Sequence, residues 1–196
     1  MAKLYFKYGS MGSSKTAQAL ITKFNYEERN MKVLLVKPSV DTRVGGTTVS
    51  SRIGLSAEAQ LLSPHGSVKQ LLEKVGGAQV ISVDEAQFLS EEQVDELGEI
   101  AMFDDIPVLC FGLATDFATH LFPGSKRLFE IAESISEIKS VCSCGAKATV
   151  NARLDDHGNV VYTGAQFYLG GNDRYLPMCR KCWLNRIKRQ EELDNE

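Results

Sequence analysis

Gly9-Ser10-Met11-Gly12-Ser13-Ser14-Lys15-Thr16 is the stretch that decides the fold. It follows a short aromatic and aliphatic run, residues 3–8. It opens a stretch of helical spacing, residues 15–30, with Ala17, Leu20, Ile21 and Phe24 on one face. In the phosphate-loop pattern G-x-x-x-x-G-K-[ST], Gly9, Lys15 and Thr16 fall in register, and Ser14 stands where Gly is expected. Small residues such as Gly9, Ser10, Gly12, Ser13 and Ser14 let successive backbone N–H groups wrap phosphate oxygens at a helix N-terminus. Lys15 would bridge the outer phosphates and the Thr16 hydroxyl would ligate Mg²⁺. Ser14 costs conformational freedom if its position needs a positive φ, so weaker nucleotide binding than with Gly is expected.

Outward from the loop, strand and helix signals alternate over the first 110 residues. Residues 32–37 are β-rich and closed by Pro38. Residues 67–75 read as a modest helix ended by Gly76-Gly77. Residues 79–83 and 106–111 read as buried strands. Residues 90–103 are amphipathic and begin with Ser90-Glu91-Glu92-Gln93, a capping-box pattern. Uniformly apolar strands alternating with helices predict an α/β fold, a phosphate-loop NTPase (RecA-like) parallel sheet flanked by helices. Residues 131–141 read as a further strand. Beyond it the chain turns rich in Gly, Asn, Asp and Tyr, with few helix signals. The expected division is a nucleotide-binding domain over 1–140, a small lobe over 141–183 and a charged tail over 184–196, frayed or disordered.

Val80-Ile81-Ser82-Val83-Asp84-Glu85 is an apolar strand ending in two acids. At the carboxyl end of a strand in such a sheet, Asp84 would reach Mg²⁺ or its waters. Glu85, one residue on, points elsewhere and would polarise a nucleophile, either water or a substrate hydroxyl. Asp84-Glu85-Ala86-Gln87 also matches helicase motif II. Size and charge oppose a helicase, which needs two such lobes and a basic channel. No Asn-Lys-x-Asp guanine motif is present, which disfavours a switch GTPase.

The chain has 196 residues, 43% hydrophobic and 24% charged, ordinary for one globular domain with a small appendage. Its net charge of −3 argues against a nucleic-acid polymer or an anionic membrane as partner. The longest apolar runs, such as 33–36 and 107–113, are far short of the roughly 18 residues of a spanning helix. The first residues lack a signal-peptide core, so a cytoplasmic location is expected. Of five cysteines, Cys110 sits in an apolar strand and reads as a small buried hydrophobe. Cys142-Ser143-Cys144 and Cys179-Arg180-Lys181-Cys182 are two clusters that suit a tetrahedral structural Zn²⁺ site. His65, His120 and His157 are isolated and carry no catalytic spacing.

Taken together, the chain resembles the type II, zinc-containing thymidine kinases over nearly its whole length. The likeness is carried by Tyr5-Phe6-Lys7-Tyr8-Gly9-Ser10-Met11, Asn25-Tyr26-Glu27-Glu28-Arg29, Val36-Lys37-Pro38 and Asp41-Thr42-Arg43. It continues through Ser51-Arg52-Ile53-Gly54-Leu55, Val83-Asp84-Glu85-Ala86-Gln87-Phe88, Gly112-Leu113-Ala114-Thr115-Asp116-Phe117 and Gly170-Gly171-Asn172-Asp173-Arg174-Tyr175. The resemblance implies transfer of the ATP γ-phosphoryl group to the 5′-hydroxyl of thymidine, with Glu85 as the base. It implies that Arg43 and Gln87 join the loop residues on ATP, and that Asp84 and Thr16 hold Mg²⁺. It further implies that Phe88, Leu113, Phe117 and Phe122 line the nucleoside pocket with Met11 above the base. Gln166, Phe167, Tyr168, Leu169 and Gly170, with Tyr175, would form a lasso closing over thymidine, anchored by the zinc cysteines. A homotetramer and feedback inhibition by dTTP are also implied. From the family's usual pattern the chain departs at Ser14 and in a first cysteine pair one residue shorter than C-x-x-C. A different class stays open on the residues alone: a nucleotide-switched binding module whose zinc lobe docks a partner. The aromatic set Phe88, Phe117, Phe122 and Tyr175 discriminates, because a kinase needs it as a base pocket and a switch does not.

Overall fold

The computed structural model describes residues 1–41, 46–164, 166 and 175–194. Strand β1, Leu4–Tyr8, alternates its side chains, with Leu4 and Phe6 facing one side of a sheet and Tyr5 the other. The same two-residue period recurs in β2, Val33–Pro38, in β6, Val80–Val83, and in β7, Val108–Gly112. Leu34, Val36, Ile81, Val83, Val108 and Cys110 join Leu4 and Phe6 on one face, while Val80, Leu109 and Phe111 lie on the opposite one. Both faces are covered, which is why these strands are apolar throughout.

With β5, Gln60–Leu62, and β8, Ser134–Glu137, these strands form a six-stranded sheet in the order β5-β2-β6-β7-β1-β8. Every pairing in it is parallel. Helix α1, Lys15–Glu27, lies on the Leu109 and Phe111 face through Ala19. Helices α2, Val68–Lys74, α3, Glu91–Phe103, and α4, Pro123–Ile131, cover the other face through Val68, Val94, Leu97, Ile100 and Leu128. A hairpin of β3, Thr48–Ser50, and β4, Ser56–Glu58, packs Val49 against Leu20 and Leu35. Among the described residues no helix is long and apolar enough to cross a membrane.

Several expectations hold and several need correction. Ser90 and Gln93 form the expected reciprocal capping box at the start of α3. Cys110 is fully buried, and burial pushes its thiol up. In α1 the buried face is Ala17, Ala19 and Leu20, whereas Ile21 and Phe24 are 46% and 59% exposed. The helix meets the sheet through its small side chains, which rotates the expected stripe outward. The strand expected over residues 131–141 is shorter, Ser134–Glu137, and follows a helix that the pattern did not suggest. Pro123 sits in the first turn of that helix, where Pro is favourable. A Cβ at Gly124 would lie 2.5 Å from the Leu89 carbonyl oxygen and 2.9 Å from that of Ala86. Gly therefore lets α4 press on the 3-10 turn Ala86–Phe88 that follows β6.

The C-terminal part is a three-stranded antiparallel sheet in the order β10-β9-β11, made by β9, Val150–Leu154, β10, Val160–Val161, and β11, Tyr175–Met178. Helix α5, Arg180–Asp194, runs straight on from it, so residues 184–194 are helical where the charge pattern suggested a frayed helix or a disordered tail. Its first turns are held by packing. Trp183 is buried among Cys142, Val150, Val160 and Met178, Ile187 leans on the same cluster, and Gln190 exchanges hydrogen bonds with the Val160 backbone. Trp183→Ala is expected to lower the unfolding free energy by about 3 kcal/mol, the scale of a truncated buried aromatic. Urea unfolding of the full chain measures it, and a loss below about 1 kcal/mol would show that α5 is not part of this core.

Candidate active site

The loop from Gly9 to Thr16 hangs between β1 and α1 at the carboxyl end of the sheet. The Gly9 N–H donates to the Gly112 carbonyl at 3.2 Å, tying the loop to β7. A Cβ at Gly9 would lie 2.4 Å from the Ile138 carbonyl oxygen and 2.5 Å from Ser13 Oγ, so only Gly fits. Gly12 has φ +76° and Ser14 has φ 63°, ψ 26°. Ser14 is therefore in the left-handed conformation that was the condition for a cost, of about 1–2 kcal/mol for an L residue. Lys15 is buried, and its Nζ donates to the Ser10 carbonyl at 2.8 Å.

Parallel pairing of β2 with β6 and of β6 with β7 brings the end of β6 beside this loop. Thr16 Oγ1 donates to Asp84 Oδ2 at 3.0 Å. Asp84 is buried, and burial, with the adjacent Glu85 carboxylate next, pushes its carboxyl up to about 7. A site that raises a carboxyl this way, beside a hydroxyl and an ammonium, favours a cation that would keep it ionised. Glu85 sits at φ 53°, which turns its side chain away from the line of the strand. One groove is lined by Met11, Ser14, Lys15, Thr16, Asp84, Glu85 and Leu113, with the β3–β4 hairpin along its side.

Two members of the aromatic set meet ring to ring, and none of the set lines this groove. Phe88 and Phe122 meet edge to face with centroids 5.8 Å apart. Phe117 is buried, and the Arg153 guanidinium stacks over its ring at 3.8 Å. Arg153 pairs in register with Tyr175 across β9 and β11. Gln166 Nε2 reaches the Leu121 carbonyl at 3.4 Å. Arg43, Phe167, Tyr168, Leu169 and Gly170 lie outside the described residues.

The ligand sulfurs of Cys142, Cys144, Cys179 and Cys182 all lie within 4.8 Å of one another. A tetrahedral site with metal–sulfur bonds of about 2.3 Å has sulfur–sulfur edges of about 3.8 Å, so the four thiols fit zinc. The short C-x-C pair converges with the C-x-x-C pair because the chain folds back after Cys142, its N–H bonded to the Ala146 carbonyl and the Gly145 N–H to the Cys142 carbonyl. Backbone N–H groups of Cys144 and Cys179 draw the Cys142 thiol down to about 6, while hydrogen bonds from the neighbouring sulfurs hold Cys182 up at about 12. The Cys142 thiolate forms readily and its neighbours oppose charge at Cys182, an arrangement that a bound dication relieves.

The sequence model of the family described as thymidine kinase matches residues 2–183. This chain belongs to the thymidine kinase family. Curated relatives include the thymidine kinase of Zymomonas mobilis, 44% identical over 95% of this chain and 98% of that one. That of Novosphingobium aromaticivorans is 46% identical over 92% and 96%. That of Vibrio cholerae is 43% identical over 96% and 100%. Among solved structures, the Pif1 helicase from Candida albicans aligns at a TM-score of 0.41 and 18% identity, covering 71% of this chain and 36% of that one, a likeness too low to bear on function. The protein is therefore a phosphotransferase enzyme.

Three residues of this kinase stand in or beside the site without having been expected in the place they take. Lys37 lines the groove at 2% exposure, paired with Asp41 at 3.5 Å. A lysine at the end of an otherwise apolar strand is the signal that could have marked it. Gln87, expected on ATP, is turned inward and buried. Its amide nitrogen donates to Glu85, and its Oε1 accepts from the Leu113 N–H at 3.0 Å. A Cβ at Gly112 would lie 2.8 Å from that oxygen, so Gly112 makes room for it. Asn151, from the C-terminal sheet, reaches the phosphate loop, and nothing in its sequence surroundings marks it.

Replacing Ser14 with Gly removes the left-handed penalty but loosens the unfolded chain. The expected net gain is about 0.5–1 kcal/mol in urea unfolding, with ATP bound no more weakly. A loss of stability would mean that Ser14 makes a contact that offsets its backbone. Atomic absorption of purified protein is expected to give one zinc per chain, and Cys179→Ser to lose the metal together with a large drop in Tm. A metal-free parent chain with an undiminished Tm would refute the zinc assignment.

Proposed function

We propose that this kinase transfers the γ-phosphoryl group of ATP to the 5′-hydroxyl of thymidine, giving dTMP for DNA precursor synthesis by nucleoside salvage. The observation that carries the reading is the convergence of Lys15, Thr16, Asp84 and Glu85 on one groove beside Leu113 and Met11. Family membership and the names of the relatives support the choice of substrate.

The loop N–H groups from Gly9 to Lys15 would cradle the phosphates, with the Lys15 ammonium on the outer two. The Thr16 hydroxyl and the Asp84 carboxylate are the hard oxygen donors that would hold Mg²⁺, which would supply neutralisation of phosphate charge. Glu85 would accept the 5′-hydroxyl proton. The alcohol oxygen bonds to the γ-phosphorus, the bond to the β-γ bridging oxygen breaks, and ADP leaves with that electron pair. A carboxylate is a weak base for an alcohol. It suffices here because the transition state is loose and the proton departs late. Gln87 would keep Glu85 aimed at the groove through their hydrogen bond.

Phe88, Leu113, Phe117, Phe122 and Tyr175 would enclose the nucleoside, with Met11 over the base. Gln166, Phe167, Tyr168, Leu169 and Gly170 would close as a lasso that excludes water, a competing acceptor. Arg43 would approach the phosphates. A homotetramer, inhibition by dTTP and a cytoplasmic location belong to the same proposal, supported by the resemblance. A 1–140 nucleotide-binding domain with a substrate-covering lobe after it is the organisation that this division of labour suggests.

A coupled assay with ATP, Mg²⁺ and each deoxynucleoside tests the reading. Phosphorylation of thymidine and not of deoxycytidine is expected, and failure to phosphorylate thymidine would overturn it. Glu85→Gln is expected to cut kcat by about 10²–10⁴-fold with ATP binding kept. Near-normal turnover in that variant would remove Glu85 from the chemistry.

A further inference from the structure

Strand β9 has two unlike faces. Val150 and Ala152 point into the cluster that holds Cys142, Cys179 and Trp183. Asn151 and Arg153, on the alternate positions, point to the body of the kinase. Asn151 is 3% exposed, and both ends of its amide are committed. Its Oδ1 accepts from the Met11 N–H at 2.7 Å, and its Nδ2 donates to the Thr115 carbonyl at 2.9 Å. The partners settle which atom is which, since an N–H needs an acceptor and a carbonyl a donor. Met11 belongs to the phosphate loop. Thr115 belongs to the segment between β7 and α4, which Asp116 shapes by accepting from the Ala118 and His120 N–H groups and which carries Phe117 and Phe122.

The strand beside β9 reaches the same loop. Pro177 of β11 lies in register with Asn151, and a Cβ at Gly12 would meet its ring at 4.0 Å. The next residues of β11 lead directly to Cys179, and the Thr149 N–H bonds to the Met178 carbonyl. A short two-stranded ribbon thus runs from the cysteine cluster to the loop.

We propose that Asn151 is a positioning residue for phosphoryl transfer: one buried amide sets the Met11 end of the phosphate loop against the Thr115 end of the nucleoside-side segment. Through it, the cysteine lobe fixes the spacing between the two substrates. Near-attack geometry tolerates little displacement, and a shift of about 1 Å costs on the order of 10²-fold in rate. An amide with one donor and one acceptor meets both backbone demands at once, which no hydrocarbon or carboxylate can do. The proposal rests on the thymidine kinase reading for its kinetic consequence but not for its structural one.

Two variants of the full zinc-loaded chain test it. Asn151→Leu removes both bonds at similar size. Asn151→Asp keeps the acceptor for Met11 and loses the donor to Thr115. Amide hydrogen exchange is expected to quicken at least tenfold at Met11 and over residues 114–121 in the Leu variant, and only over residues 114–121 in the Asp variant, with α3 unchanged. In parallel, kcat/KM should fall on the order of 10²-fold in the Leu variant, with KM raised for both substrates. If the Leu variant fails to fold, the Asp variant still decides by its one-sided exchange pattern. Parent-like exchange at both segments in a folded variant, or equal quickening throughout the chain, overturns the proposal. Loss of thymidine phosphorylation in the parent chain would overturn the functional reading while leaving the exchange result to stand or fall alone.

Discussion

The hydrogen bond from Thr16 to Asp84 ties the phosphate loop to the acidic strand end, and the rest of the site is arranged around that junction. One partner lies in the first turn of α1 and the other directly follows β6, and they meet because β1, β7 and β6 are neighbours in parallel register. A parallel sheet places all its carboxyl ends on one side, so loop, carboxylates and groove share one edge. Burial makes the pairing chemically consequential. Burial and the adjacent Glu85 carboxylate both oppose charge on Asp84, while the Thr16 hydroxyl, a backbone N–H and the Lys15 ammonium favour it.

Close backbone approach is the second constraint, and glycine and a few buried amides meet it. Gly9 fits under the Ile138 carbonyl, Gly112 beside Gln87, and Gly124 against the turn that follows Glu85. Gln87 and Asn151 then do for the loops what a sheet ladder does for strands. Each spends a donor and an acceptor on groups from different segments, and each is shut off from solvent, where such bonds are stronger and their loss more costly. The cysteine lobe is thereby a structural neighbour of the phosphate loop, even though more than a hundred residues separate the two in the chain.

The core of the sheet was legible because its strands are apolar on both faces and its helices carry caps. Residues 79–83 and 106–111, the capping box at Ser90 and the buried Cys110 all follow from local pattern. Elsewhere packing overrides pattern. α4 begins with Pro123-Gly124, where the surrounding carbonyls demand a residue without a side chain. α5 looks polar from Leu184 onward, yet Trp183 and Ile187 anchor it. Phe24 belongs to a sound helical stripe but lies at the outer flank of α1.

The sequence by itself determined the phosphate loop, the acidic strand end and the two cysteine pairs, because each is a local arrangement whose chemistry depends on spacing along the chain. It also determined the conformational burden at Ser14, conditional on a dihedral angle that it could not supply. Tertiary structure alone decided that Gln87 faces inward to Glu85, that Lys37 borders the groove, and that Asn151 joins the cysteine lobe to the loop. Those roles come from contacts between segments distant in sequence. An isolated Asn, Gln or Lys carries no sign of its partner until the strands bring the two together.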